Sequence, residues 1–212
     1  MSTSLINIGP PTLPPLDFSV HFLNAKLAGK ADPSSPDCFL LLPPPARHPN
    51  PPLILVPHGG PHGMSPSVYI APYAFLADAG YAVLHVNFRG STGYGKAFND
   101  VLAGEIGSFD VQDCMAALQT VLDGGFGVDG ERVGVCGGSH GGFLAGHLIG
   151  QFPDTFKAAA MRNPVTNVSR RRTEGERAFH VNSFRRRRGG DGRQERKKNR
   201  GKKRGYDGKV LS

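Results

Sequence analysis

The chain predicts an α/β fold, a parallel sheet with helices on both faces, and three observations carry that expectation. Short apolar runs alternate with helix-like segments of about a dozen residues across positions 38–161, the pattern of strand–helix–strand units. The runs are apolar throughout rather than alternating, as strands buried on both faces require. A glycine-rich turn, Gly137-Gly138-Ser139-His140-Gly141-Gly142, stands where one such run passes into the next helix.

Taken in order, the first 50 residues are rich in proline (Pro10-Pro11, Pro14-Pro15, Pro43-Pro44-Pro45), which favours loop, linker or edge structure. Cys38-Phe39-Leu40-Leu41-Leu42 is the one strand candidate there. Leu53-Ile54-Leu55-Val56 is the next strand, followed by a helix around Tyr69 to Ala79 and a strand Ala82-Val83-Leu84-His85-Val86. A second helix spans about Val111 to Leu122, where Val111, Met115, Leu118 and Leu122 fall on one face and Asp110 and Asp113 suit a helix N-terminus. Strand Arg132 to Cys136, helix Phe143 to Gln151 and strand Ala158-Ala159-Ala160-Met161 complete the series. Past Asn163-Pro164 the periodicity vanishes into Arg170-Arg171-Arg172, Arg185 to Arg188 and the basic run Arg196 to Arg204. The expected organisation is a leader over 1–37, a folded domain over 38–168 and a disordered basic tail over 169–212.

Charge divides the chain the same way. Residues 1–165 hold 8 Lys+Arg against 12 Asp+Glu, whereas residues 166–212 hold 17 against 5, so the net +8 belongs to the tail. No run approaches the roughly 20 apolar residues of a membrane span and no secretory signal pattern opens the chain, which makes a cytoplasmic protein the default. Asn167-Val168-Ser169 matches a glycosylation sequon that carries no weight without such a signal. Cys38, Cys114 and Cys136 are odd in number and far apart, as reduced buried thiols are, and neither a metal site nor a cofactor is expected.

The chemistry lies at two loops. Ser139 in Gly-x-Ser-x-Gly sits on a strand-to-helix turn, where Gly137 and Gly141 are needed because a Cβ at either would crowd the neighbouring strand or helix. About 80 residues earlier a strand runs into His58-Gly59-Gly60-Pro61, the second half of the serine-hydrolase signature. In an α/β-hydrolase, one oxyanion donor is the N–H after the nucleophile and another comes from such a loop, which assigns His140 N–H and Gly59 N–H. A dinucleotide site is the rival for Gly137 to Gly142, but Ser139 occupies a position where that fingerprint needs glycine.

With these residues in view, the sequence resembles the acylaminoacyl-peptidase branch of the prolyl oligopeptidase family of serine peptidases. The resemblance rests on His58 to His62, Val86 to Gly95, Gly137 to Gly142, His147 to Gln151 and Arg162-Asn163-Pro164, and covers roughly residues 38–168. It implies a cytosolic, oligomeric, cofactor-free enzyme that releases an N-acyl amino acid from an N-acylated peptide, with Ser139 as nucleophile and the Asn87 to Gly95 loop on the substrate side. The family's β-propeller is not found in this sequence. Its catalytic Asp and His follow two further strands after the elbow, and neither strand nor either residue is found here. The expected fold is thus an incomplete α/β-hydrolase, ending on a strand that is normally central, and its activity is expected to be lost.

No histidine in the sequence is expected to replace the missing base. His58 and His62 flank the oxyanion loop, His140 is turned away from Ser139 by the elbow, and His180 lies in the tail. Asp154 reads as a solvated loop carboxylate, and His85 and His147 as partly buried histidines with partners. The alternatives to a peptidase are a non-catalytic fragment that binds acylated peptides or full-length subunits, or a polyanion binder. Clustered Lys and Arg would neutralise phosphates, although without interleaved aromatics for base stacking.

Overall fold

The computed structural model describes residues 18–25 and 35–166, and the tail, His180 and the sequon lie outside them. Each expected strand is present: β2 Asp37–Leu42, β3 Pro52–Pro57, β4 Ala82–Asn87, β5 Asp129–Gly138 and β6 Phe156–Arg162. The expected helices are α1 Ala71–Asp78, α3 Phe109–Asp123 and α4 His140–Gln151. Two elements were not expected. Strand β1, Ser19–Asn24, lies within the segment read as leader, and a five-residue helix α2, Lys96–Asp100, follows the Gly90–Gly95 loop. β1 escapes a sequence reading because its burial is only partial and the alternation of Ser19-Val20-His21-Phe22 is four residues long, close behind the prolines of the leader.

The sheet runs β1-β2-β4-β3-β5-β6. β3, β4, β5 and β6 are parallel, as expected, but β1 pairs antiparallel with β2 and β2 antiparallel with β4. The sheet is therefore mixed, and the domain reaches back to β1. Strand β4 is buried at all six positions, the signature of a central strand. Helices do lie on both faces. Ala77 of α1 packs on Phe39, Leu41, Val56 and Val83, while α3 and α4 bury Cys114, Leu118, Leu144 and Leu148 against Leu40, Leu53, Leu55, Leu84 and Val135 on the other side.

The buried face of α3 is rotated from the expected one: Val111, Cys114, Leu118 and Val121 are buried, whereas Met115 and Leu122 sit at its margin. Asp110 and Asp113 lie at the start of α3, as expected, and are fully buried there. Helix α1 ends in a Schellman motif, with Gly80 at φ 95°, Gly80 N–H on the Ala77 carbonyl and Tyr81 N–H on the Leu76 carbonyl. Cys38 and Cys114 are buried thiols, the first pushed up to about 12 by burial. Cys136 is half-buried.

Candidate active site

At the end of β5 the chain turns into α4 through Ser139, whose φ of 56° and ψ of −118° lie outside the regions an L-residue adopts freely. Such a conformation costs about 1–3 kcal/mol and persists where its surroundings enforce it. Here three backbone hydrogen bonds do so. Ser139 N–H donates to the Arg162 carbonyl of β6 at 3.0 Å, and the Ser139 carbonyl accepts from Phe143 N–H at 3.1 Å and Val165 N–H at 3.2 Å. The flanking glycines are sterically required, as expected. A Cβ at Gly137 would stand 2.2 Å from the Gly141 carbonyl oxygen, and one at Gly141 would stand 2.2 Å from the Pro57 carbonyl oxygen. Because no side chain fits there, α4 packs directly on β3 and Ser139 is left exposed at the carboxyl edge of the sheet.

The second expected loop meets the first. A Cβ on Gly59 would lie 3.6 Å from Ser139 Cβ and 3.3 Å from the Gly138 carbonyl oxygen, so the loop after β3 passes beside the serine. His140 is the first residue of α4, and its N–H is one of the amides a helix leaves without an internal acceptor. Neither this amide nor that of Gly59 has an acceptor among the described residues. Both stand beside Ser139, and the positive end of the α4 dipole adds to them.

The histidines near the site are committed elsewhere. His140 is 2% exposed, its Nε2 lies 3.0 Å from Asp110 Oδ2, and its ring packs against Phe88 and Phe143. Asp110 Oδ1 also accepts from Gly107 N–H at 2.7 Å and Val111 N–H at 3.0 Å, so this carboxylate joins three segments beneath the elbow. His58 donates Nδ1–H to the Gly59 carbonyl at 2.7 Å, places Nε2 2.7 Å from Ser91 Oγ and stacks on Phe88 with ring centres 4.2 Å apart. Burial lowers its pKa to about 4, so it is neutral at pH 7. Its bond to Gly59 ties down the loop after β3, and His62 Nδ1 does the same by donating to the Gly90 carbonyl at 2.9 Å. Among the described residues, no side chain hydrogen-bonds the Ser139 hydroxyl.

The Asn87–Gly95 segment is built into this arrangement. Arg89 meets Asp113 through Nη2 to Oδ1 at 2.6 Å and Nε to both oxygens at 3.0 Å, and lies 4.3 Å over the Phe109 ring. Burial raises the Asp113 pKa, and its bonds to Arg89 act against that rise. Asn87 accepts Ser65 N–H and donates to Tyr94 Oη. Sequence reasoning missed the roles of Asp110, Asp113 and Ser91, because partners 24 to 33 positions away leave no local pattern. It also misread His85. That residue is 2% exposed, stacked on Phe39 and edge-on to Tyr73, and its Nδ1 is a buried nitrogen with no hydrogen-bond partner among the described residues. Asp154 is exposed, as expected, and His147 Nδ1 lies 3.1 Å from Gln151 Nε2. The described residues contain no group of three or more His, Cys, Asp or Glu that could hold a metal.

A serine on a strained strand-to-helix turn, beside a glycine loop from the neighbouring parallel strand β3, is the arrangement in which α/β-hydrolases place a nucleophile and its oxyanion donors. The prolyl oligopeptidase family profile matches residues 66–201, and the chain belongs to that family. It is 54% identical over 118 residues to acylamino-acid-releasing enzyme 2 of Oryza sativa subsp. japonica, covering 56% of this chain and 15% of the relative. Among solved structures, the Pyrococcus horikoshii acylaminoacyl peptidase superposes with a TM-score of 0.64 at 27% identity, over 71% of this chain and 24% of that one. An acylaminoacyl peptidase in complex with Z-Gly-Gly-Phe-chloromethyl ketone gives 0.64 at 28% identity over the same shares. The chain thus spans about one-seventh of the length of the rice relative it matches.

Proposed function

We propose that the chain carries the nucleophile and oxyanion half of a serine-peptidase site of the acylaminoacyl-peptidase type, acting on the amide bond that follows an N-acylated residue. The contact between the Gly59 loop and Ser139 is the observation that supports it most directly. Ser139 Oγ attacks the carbonyl carbon, and the oxygen takes up negative charge between the His140 and Gly59 amides. The tetrahedral intermediate collapses to an acyl-serine as the amine departs, and water releases the N-acyl amino acid. The names of the relatives support the substrate class, and the cytosol is the compartment that fits it.

The attack also requires a base to take the serine proton and pass it to the leaving amine. His58 and His140, the histidines beside the site, are held by Gly59, Ser91 and Asp110. This favours the non-catalytic form of the proposal, in which the chain orients an acyl carbonyl but turns over about six orders of magnitude below a complete triad. The test is hydrolysis of acetyl-alanyl p-nitroanilide beside alanyl p-nitroanilide, with and without added imidazole as an external base. Imidazole-dependent release from the acetylated substrate that is lost in Ser139→Ala supports the proposal. Equal release from both substrates, or release that survives Ser139→Ala, overturns it.

A further inference from the structure

The first turn of α4 has little besides one side chain to hold its direction. It begins His140-Gly141-Gly142, and both glycines are there because a Cβ would strike backbone: at Gly141 the Pro57 carbonyl oxygen, at Gly142 Pro164 Cα at 3.1 Å and the Gly137 carbonyl oxygen at 3.2 Å. Glycine restricts φ and ψ least of all residues, so this turn supplies little stiffness of its own. The peptide between Ser139 and His140 is fixed on one side, because the Ser139 carbonyl accepts from Phe143 N–H and Val165 N–H. A peptide unit is planar, so what remains is a tilt set by the Cα atoms at its corners. The Cα of His140 carries the imidazole, and the imidazole is anchored. It donates Nε2–H to Asp110 Oδ2, while Asp110 Oδ1 accepts from Gly107 N–H and Val111 N–H.

We propose that Asp110 is a positioning residue for the oxyanion: through the His140 ring it fixes the direction of the His140 N–H, although it is itself fully buried and touches no substrate. The inference rests on the reading of that amide as an oxyanion donor. Two observations favour positioning over simple adhesion between α3 and α4. A buried polar pair holds two helices no better than apolar side chains of the same volume, and the cluster that α3 and α4 share is otherwise built from such residues, among them Val111, Cys114, Leu144 and Leu148. The pair also stands at the one end of α4 where the chain turns through Ser139. The Gly59 loop is held separately, by His58 and through it by Ser91. Loss of the Asp110 carboxylate should therefore disturb one amide and spare the other.

The test is amide-resolved NMR of the full chain before and after phosphonylation of Ser139 by a fluorophosphonate, with imidazole as external base. Ser139 Oγ bonds phosphorus, fluoride departs and imidazole takes the proton, which leaves a phosphoryl oxygen in place of the oxyanion. In the parent chain the His140 and Gly59 amide protons should both move downfield. Asp110→Asn keeps the shape and an acceptor for the Gly107 and Val111 amides but presents an NH2 group to His140 Nε2. It should lose the His140 displacement, keep that of Gly59 and react about tenfold more slowly. His140→Phe should be slowed to the same extent, and adding Asp110→Asn to it should slow the reaction no further, because Asp110 acts through the ring. A purely structural role would lower the urea midpoint of Asp110→Asn while leaving the parent rate and both displacements, and that result overturns the proposal. So does a double variant slowed about a hundredfold, the product of two independent effects. A His140 amide that stays in place in the phosphonylated parent overturns the oxyanion assignment itself, and the proposal with it.

Discussion

Replacing Gly141 by alanine tests whether the elbow is built by close backbone approach. The new Cβ would lie 2.2 Å from the Pro57 carbonyl oxygen, where unstrained contact needs roughly 3.5 Å. Relief has to come from backbone, because Pro57 ends β3 and is held in register with Val86 of β4. Helix α4 must therefore withdraw by about 1 Å, an overpacking cost of about 3–5 kcal/mol. Alanine in a helix returns about 1 kcal/mol, leaving a net loss of about 2–4 kcal/mol. For a domain of this size that lowers Tm by roughly 5–15 °C. Gly59→Ala is the matched control: its Cβ meets Gly138 O at 3.3 Å and Ser139 Cβ at 3.6 Å, so it should cost under about 1 kcal/mol while placing a methyl group beside Ser139. Thermal unfolding followed by circular dichroism reads both. A Gly141→Ala protein melting with the parent, or a Gly59→Ala protein losing as much as Gly141→Ala does, would refute the packing argument.

Three further outcomes are expected. Ser139→Gly should raise stability by about 1 kcal/mol through release of the positive-φ strain, whereas Ser139→Ala should not, and urea titration of both variants separates strain from loss of the hydroxyl. Asp110→Ala leaves His140 Nε2 and the Gly107 and Val111 amides without their acceptor and should cost about 3–5 kcal/mol by the same titration. Burial lowers the pKa of His58 and of His85 to about 4, so the unfolded chain, with histidines near 6.5, binds more protons between those values. Stability is then complete above about pH 6.5 and falls as pH drops toward 4, by up to about 3 kcal/mol for each histidine, and a urea midpoint unchanged from pH 7 to 4.5 would contradict this.

The sequence reveals what depends on neighbours in the chain and hides what depends on distant ones. Apolar continuity marks β3, β4 and β5, and the glycines around Ser139 announce the elbow because the clash they avoid is created within the same turn. The loop at Gly59 is legible for the same reason, as a strand followed by glycines. Asp110 was visible only as a charge near a helix start, since its partner His140 lies 30 positions on. Strand β1 was lost among prolines, and with it the antiparallel edge. His85 looks like any strand histidine, and only the fold shows that it is buried between Phe39 and Tyr73 with its Nδ1 unpaired among the described residues.

The claim to be tested is that Ser139 stands beside two amides ready to hold an oxyanion and that none of the described residues serves as its base. Fluorophosphonate labelling of the full chain, with and without imidazole and beside a Ser139→Ala control, addresses both halves of it. The account predicts negligible labelling alone and Ser139-dependent labelling once imidazole supplies the base. Rapid labelling without imidazole would show that the chain already holds a base for Ser139, and labelling retained in Ser139→Ala would remove the serine from the chemistry.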